Sequence, residues 1–203
     1  MFLKMYKTII LLLFVTVLLP AFTLNAQTSN NKLKKVYLFK ISDEIAKPVW
    51  LKTQKALNEA TEIKADIILI HMNTYGGLLD MADSIRTSIL NCKIPVWVFI
   101  DNNAASAGAL ISIACDSIYM REGANMGAAT VVNQTGEQLP DKYQSYMRAM
   151  MRSTAEATGR NPDIAQAMVD PRIKVEGVND SGQVITFTAH EAMKHGYCNA
   201  IAE

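Results

Sequence analysis

The chain has 203 residues, half of them apolar and 19% charged, with 20 Lys and Arg against 19 Asp and Glu. One domain of ordinary size is expected, and the near-neutral balance excludes the strong positive field that nucleic-acid binders use. Three cysteines, Cys92, Cys115 and Cys198, with no CxxC pair, exclude a disulfide framework, so packing must hold the core.

Lys4 and Lys7 precede an apolar stretch from Ile9 to Leu19, and Leu24-Asn25-Ala26 closes the segment before Gln27. This is the pattern of a signal peptide over residues 1–26. The stretch is short of the ~20 apolar residues that a spanning helix needs, although an uncleaved membrane anchor is the alternative. Either way the protein is expected to be exported, periplasmic or membrane-associated, a setting poor in ATP and coenzyme A. Residues 27–34 read as a polar linker, and residues 35–203 as the folded domain.

Lys35 to Ile41, Ile67 to Met72, Val96 to Ile100 and Ser117 to Met120 are short apolar runs of strand length. Between them, Pro48 suits the first turn of a helix running to Thr61, and Leu78, Met81, Ile85 and Ile89 recur at helical spacing. Strands alternating with helices, and rich in Val, Ile and Leu, predict an α/β fold with a parallel sheet covered on both faces. Asp141 to Thr158 reads as a longer helix and Pro162 to Met168 as a short one. Val184 to Phe187 reads as a strand. Thr188 and Glu191 form a capping box for a last helix that Gly196 ends.

Two loops carry the functional signal. Asn73-Thr74-Tyr75-Gly76-Gly77 joins a strand to a helix, and paired glycines let backbone N–H groups approach a ligand. Asp101 to Ala109 places the hydroxyl of Ser106 among alanines and Gly108 at the start of an apolar helix. That is room for an incoming carbonyl, with a helix N-terminus to favour negative charge. Taken as residues alone, the glycines also suit a tight turn, and Ser106 also suits a helix cap.

Together the segments LIHMNTYGGLLDMADSI, VWVFIDNNAASAGALISIACDSIYMREGANMGAAT, KYQSYMRAMMRSTAEATGRNPDIAQAMVD and ITFTAHEAMKHGYCNAIAE resemble the Clp/crotonase superfamily. They are most similar to its NfeD-type membrane-associated serine proteases, partners of stomatin-like proteins. The resemblance implies a spiral of βαβ units, often oligomeric, that binds peptide as an added strand. It implies Ser106 as nucleophile, Lys142 as general base, the N–H groups of Gly76 and Ala107 as oxyanion hole, and Gly77 as the residue shaping that loop. The family usually has Pro where Tyr75 stands here, and its longer members continue into membrane helices and a small β-barrel.

The three histidines, His71, His190 and His195, leave the interval where related Clp peptidases keep a triad histidine without one. A Ser-Lys dyad is expected instead, and a lysine serves as base only when desolvation lowers its pKa from ~10.4 by about three units. Tyr143, Tyr146, Met147 and Met150 are expected to supply that dry setting, with Asp141 turned to solvent. On residue chemistry alone Lys142 reads as a solvated surface lysine. Met147, Met150 and Met151 are candidates for lining an apolar groove, at least half of them being core residues instead.

The expected reaction is hydrolysis of peptide bonds in hydrophobic segments of membrane proteins, without metal, nucleotide or other cofactor. Two alternatives are a catalytically silent scaffold that binds a stomatin-like partner, and an acyl-CoA enzyme of the crotonase branch. Export and the lack of an evident acidic pair near the loops argue against the last.

Overall fold

A computed structural model describes residues 33–180 and 182–203; the signal-peptide reading falls outside them. Residues 34–203 form one compact unit. Its elements in chain order begin with β1 (Val36–Ile41), α1 (Lys47–Glu62), β2 (Ile67–Thr74), α2 (Leu79–Leu90) and β3 (Val96–Ala105). There follow α3 (Ala107–Ala114), β4 (Ser117–Met120), β5 (Asn125–Gly127), α4 (Asp141–Ala157) and α5 (Pro162–Ala167). The chain ends in β6 (Thr186–Thr188), α6 (Ala189–Lys194) and β7 (Ala200–Ile201).

Strands β1, β2, β3, β4 and β7 lie side by side in that order, all parallel. Register places Phe39, Ile70, Val98 and Ile118 in one row. All four are buried. The opposite face differs from the expectation of cover on both sides: Leu38 is 54% exposed and Leu69, Trp97, Phe99 and Tyr119 are only half-buried. Large side chains there lean on one another, Trp97 against Tyr119 and His71 against Phe99, so these rows carry apolar residues without full burial. His71 lies within β2, paired with Lys40 of β1 and Phe99 of β3, with Nε2 3.8 Å from Asp101 Oδ2.

One strand decides where the site lies. β3 pairs with β4 through Trp97–Ile100, then changes partner and pairs with β5 through Asn103–Ala105. Its register with β2 also shifts, Met72 facing Ile100 but Thr74 facing Ala104. Such a bulge bends and re-aims a strand. The polar run Asp101-Asn102-Asn103, expected to be loop, is therefore strand, held by non-local pairing and by Asn73 Oδ1, which accepts the Asn103 N–H at 3.2 Å.

Helix α3 is buried on every side, all eight residues included, as an all-apolar helix must be. Its C-terminal end is held by Arg160, itself only 9% exposed, whose Nη1 donates to the carbonyls of Ile113 and Cys115 at 3.0 Å each. A cation there complements the helix dipole and satisfies carbonyls that the helix leaves free. Burial lowers the Arg160 pKa from its ordinary value. The capping box at Thr188 and Glu191 forms as expected, and Gly196 follows the helix with φ 74°.

Candidate active site

Ser106 stands at the junction of β3 and α3 with φ 53° and ψ −116°. For a residue with a Cβ this is costly backbone, and such strain persists only where the surroundings over-determine it. Here the Ser106 N–H donates to the Gly127 carbonyl at 2.8 Å, and its own carbonyl accepts from Ala109 at 2.9 Å. A sharp strand-to-helix turn of this kind lifts a hydroxyl clear of the backbone. The side chain makes no capping hydrogen bond, so the helix-cap role is not the one it fills.

The glycine loop lies against this elbow. A Cβ on Gly76 would sit 2.8 Å from the Ser106 Cβ, and Gly76 has φ 117°, so only glycine fits. On the other side the loop is tied to the segment before α1: the Ile45 N–H donates to the Gly76 carbonyl at 2.8 Å, and the Leu78 N–H to the Ile45 carbonyl at 2.7 Å. A Cβ on Gly77 would lie 2.4 Å from that Ile45 carbonyl oxygen. Thr74 completes the support, its Oγ1 donating to the Asp43 carbonyl at 2.8 Å. Tyr75, 81% exposed, takes no part in these bonds.

These bonds bear on which N–H groups of the loop remain free. The Gly76 N–H already donates to Thr74 Oγ1 at 3.2 Å, and Gly76 is buried. Gly77 is exposed, and its N–H has no hydrogen-bond partner among the described residues. The Ala107 N–H, at the first residue of α3, likewise has no hydrogen-bond partner among the described residues, as the first turn of a helix leaves it.

Gly77, Ser106 and Ala107 open onto one groove of about 1180 Å³. One wall comes from the start of α2, with Leu78 and Leu79, and the other from residues 128–134, Leu139 and the first turns of α4. Gln144, 2% exposed, ties the second wall together: Nε2 donates to the Val131 and Leu139 carbonyls at 2.7 and 3.1 Å, and Oε1 accepts the Val131 N–H at 3.0 Å. No periodicity marks this residue, because a polar side chain on the buried stripe of a helix reads as an interruption until its partners are known. Of the methionines, Met147 lines the groove and Met150 and Met151 are core. None of the three histidines lines it.

Lys142 does not occupy the dry position expected of it. It is exposed, is absent from the groove wall, and carries its ammonium 4.8 Å from the centre of the Tyr143 ring. The buried stripe of α4 runs through Gln144, Met147, Met151 and Thr154. Lys142 lies two residues before that stripe, about 200° around a helix, and so on its far side. Tyr143 and Tyr146 are likewise exposed, at 39% and 55%.

Asp141 is turned to solvent as expected but is not free. Arg172 Nη2 and Arg148 Nη1 approach its Oδ1 at 3.0 and 3.4 Å, and both guanidinium groups also hold Asp170, at 2.6 and 2.7 Å. The Asp170 side chain is 6% exposed, and the hydrogen bonds from Arg172 hold its carboxyl down to about 2. This network fixes the start of α4 and takes up the carboxylate next to Lys142.

Residues 35–203 match the family described as NfeD1b, N-terminal domain. The chain belongs to that family. It is 33% identical over 169 residues to the membrane protein NfeD1b of Bacillus subtilis, covering 83% of this chain and 39% of that one. It is 27% identical over 175 residues to the membrane-bound protease PH1510 of Pyrococcus horikoshii, covering 82% and 37% respectively. The chain thus spans about two fifths of the length of the curated relatives it matches.

Among solved structures it resembles a mutant of the 1510-N membrane-bound stomatin-specific protease in complex with a substrate peptide. The TM-score is 0.74 with 26% identity, covering 84% of this chain and 76% of that one. ClpP1 of Listeria monocytogenes, 22% identical, shares the fold with a TM-score of 0.63, covering 82% and 91%. The fold is therefore ClpP-like, as the sequence blocks imply.

Proposed function

We propose that this domain is a serine endopeptidase that cleaves apolar peptide segments with Ser106 as nucleophile and Lys142 as general base. The observation that carries the reading is the strained Ser106 elbow, which opens onto a peptide-sized groove between two unoccupied N–H donors. A neutral Lys142 amine takes the Ser106 proton, and the oxygen attacks the peptide carbonyl. The N–H groups of Gly77 and Ala107 hold the negative oxygen of the tetrahedral adduct. The Lys142 ammonium then returns the proton to the leaving amine, and water releases the acyl group.

For this chemistry Lys142 must leave solvent, which calls for the start of α4 to be covered by bound peptide or by another subunit of a homo-oligomer. The family's membrane-bound members, one of them a stomatin-specific protease, support a membrane-associated setting and a stomatin-like membrane partner. The exposure of Lys142 also favours a second reading, a peptide-binding scaffold that does not cleave. A fluorophosphonate probe and an apolar peptide library separate the two. Labelling and cleavage that vanish in Ser106→Ala and in Lys142→Ala support the peptidase; peptide binding without Ser106-dependent labelling or cleavage supports the scaffold.

A further inference from the structure

The charged side chains lining the groove are of one sign. Glu44, Asp80 and Asp83 line it, and no lysine or arginine does. The rest of the wall is apolar or neutral, with Leu79, Val131, Leu139, Tyr146 and Met147 making most of its surface apolar. The three carboxylates differ in what they already hold. Asp83 is neutralised by Arg86, whose Nη1 lies 2.7 Å away. Glu44 and Asp80 are exposed and belong to no ion pair among the described residues; Asp80 Oδ1 accepts only the neighbouring Met81 N–H, at 2.9 Å.

Their position is set by the machinery of the site. Glu44 precedes Ile45, the residue whose backbone is bridged to Gly77. Asp80 is in the first turn of α2, the helix that the same loop enters. Both therefore stand on the wall that carries the Gly77 donor, while the facing hairpin offers Val132, Asn133 and Gln134, none of them charged. The first turn of a helix ordinarily welcomes an anion, but here Asp80 fills that place with a negative charge, so an acidic peptide side chain meets repulsion there.

Resting on the peptidase reading, we propose that the groove selects apolar peptides bearing a lysine or arginine next to the apolar stretch, with Glu44 and Asp80 as the specificity-determining residues. A cation reaching this wall gains two carboxylates that nothing else occupies, and a carboxylate reaching it is rejected. The occupant is thus an extended peptide of mixed character, with an apolar run in the groove and a basic residue at its Gly77 side. Apolar segments of membrane proteins with basic flanks have this composition.

The test uses the 203-residue chain in mild detergent and three fluorescein-labelled peptides that share one apolar core and differ in a flanking Lys, Gln or Glu. Affinity for the Ser106→Ala protein, read by fluorescence anisotropy, is expected to fall in the order Lys, Gln, Glu. Exposed ion pairs are weak, so the whole spread is about 10-fold, with about 3-fold lost in each of Glu44→Gln and Asp80→Asn, and most of it lost at 1 M salt. Equal affinities, a preference for Glu, a spread that survives both substitutions, or no binding of any peptide overturns the proposal. Cleavage of the Gln peptide by the unaltered chain is measured in parallel. Cleavage without charge discrimination defeats the specificity alone, and discrimination without Ser106-dependent cleavage defeats the peptidase reading alone.

Discussion

The Ser106 elbow and the start of α4 carry the two halves of one proposed reaction, yet they are built in opposite ways. Around Ser106 the backbone is fixed mostly by backbone, Gly127 and Ile45 holding the strained residue and the glycine loop with the Thr74 hydroxyl, and a buried apolar helix lies behind them. Around Lys142 the contacts are side chain to side chain and lie at the surface, an ammonium over a tyrosine ring and a carboxylate shared by two arginines. The proposed oxyanion half is therefore assembled in the single chain, whereas the proposed base half would gain its environment only from something that covers it. A donor set must be rigid to stabilise a transient charge. A lysine can gain its reactivity from the act of being desolvated.

The largest effect that sharpens this contrast is on turnover. Ser106→Ala is expected to lower peptide cleavage by at least ~1000-fold, and Lys142→Ala to do nearly the same, since groups acting as one unit fail together. The two halves separate in stability: Lys142→Ala should leave the free energy of urea unfolding unchanged to within about 0.5 kcal/mol, as at other exposed positions. A large loss of stability in Lys142→Ala would mean that the base half is as rigidly built as the nucleophile half.

Gly76→Ala comes next. The added methyl meets the Ser106 Cβ at 2.8 Å in a backbone conformation that alanine resists, so cleavage should fall about 100-fold and stability by about 1–3 kcal/mol. Thermal unfolding and fluorophosphonate labelling rates read the two effects. Wild-type labelling in this variant would show that the loop is not pressed against the nucleophile.

Gln144→Leu tests the wall between the halves. It leaves the buried carbonyls of Val131 and Leu139 and the Val131 N–H without their partner, at a cost of about 1–3 kcal/mol. KM for peptide should rise more than kcat falls, because the wall shapes the groove without touching the reacting atoms. An unchanged KM would remove Gln144 from the account of peptide binding.

The last effect concerns acid and stability alone. Asp170 is held at about 2 in the fold, below its ordinary value of 3.8, first by its hydrogen bonds from Arg172. A depressed carboxylate stabilises the fold above its unfolded pKa and loses that contribution as pH falls through the folded one. Asp170→Asn should therefore be less stable than wild type by about 2 kcal/mol at pH 6, the gap closing between about pH 4 and pH 2. Urea unfolding at both ends of that window checks it, and a gap independent of pH would assign the effect to packing.

Much of this arrangement was legible in the chain. The runs VYLFKI, IILIHM and SIYM read as strands because their period and composition are local properties, and the capping box at Thr188 is written in two residues three apart. Ser106 stood out as a lone hydroxyl among alanines at a strand-to-helix junction, but only the fold shows that it does not cap the helix. The extension of β3 through Asp101-Asn102-Asn103 was not legible, since polar residues enter a strand there only because β5 lies alongside. The occupied state of the Gly76 N–H was not legible for a similar reason: the hydroxyl that accepts it belongs to Thr74, and only the folded loop turns it back.

Pattern and composition determined the α/β architecture, and the four sequence blocks determined the family, since each depends on neighbours along the chain. Which N–H groups remain free, which face of the sheet stays open, and how far Lys142 stands from dryness were decided by tertiary structure. Those properties depend on what another part of the chain, distant in sequence, has already hydrogen-bonded or covered.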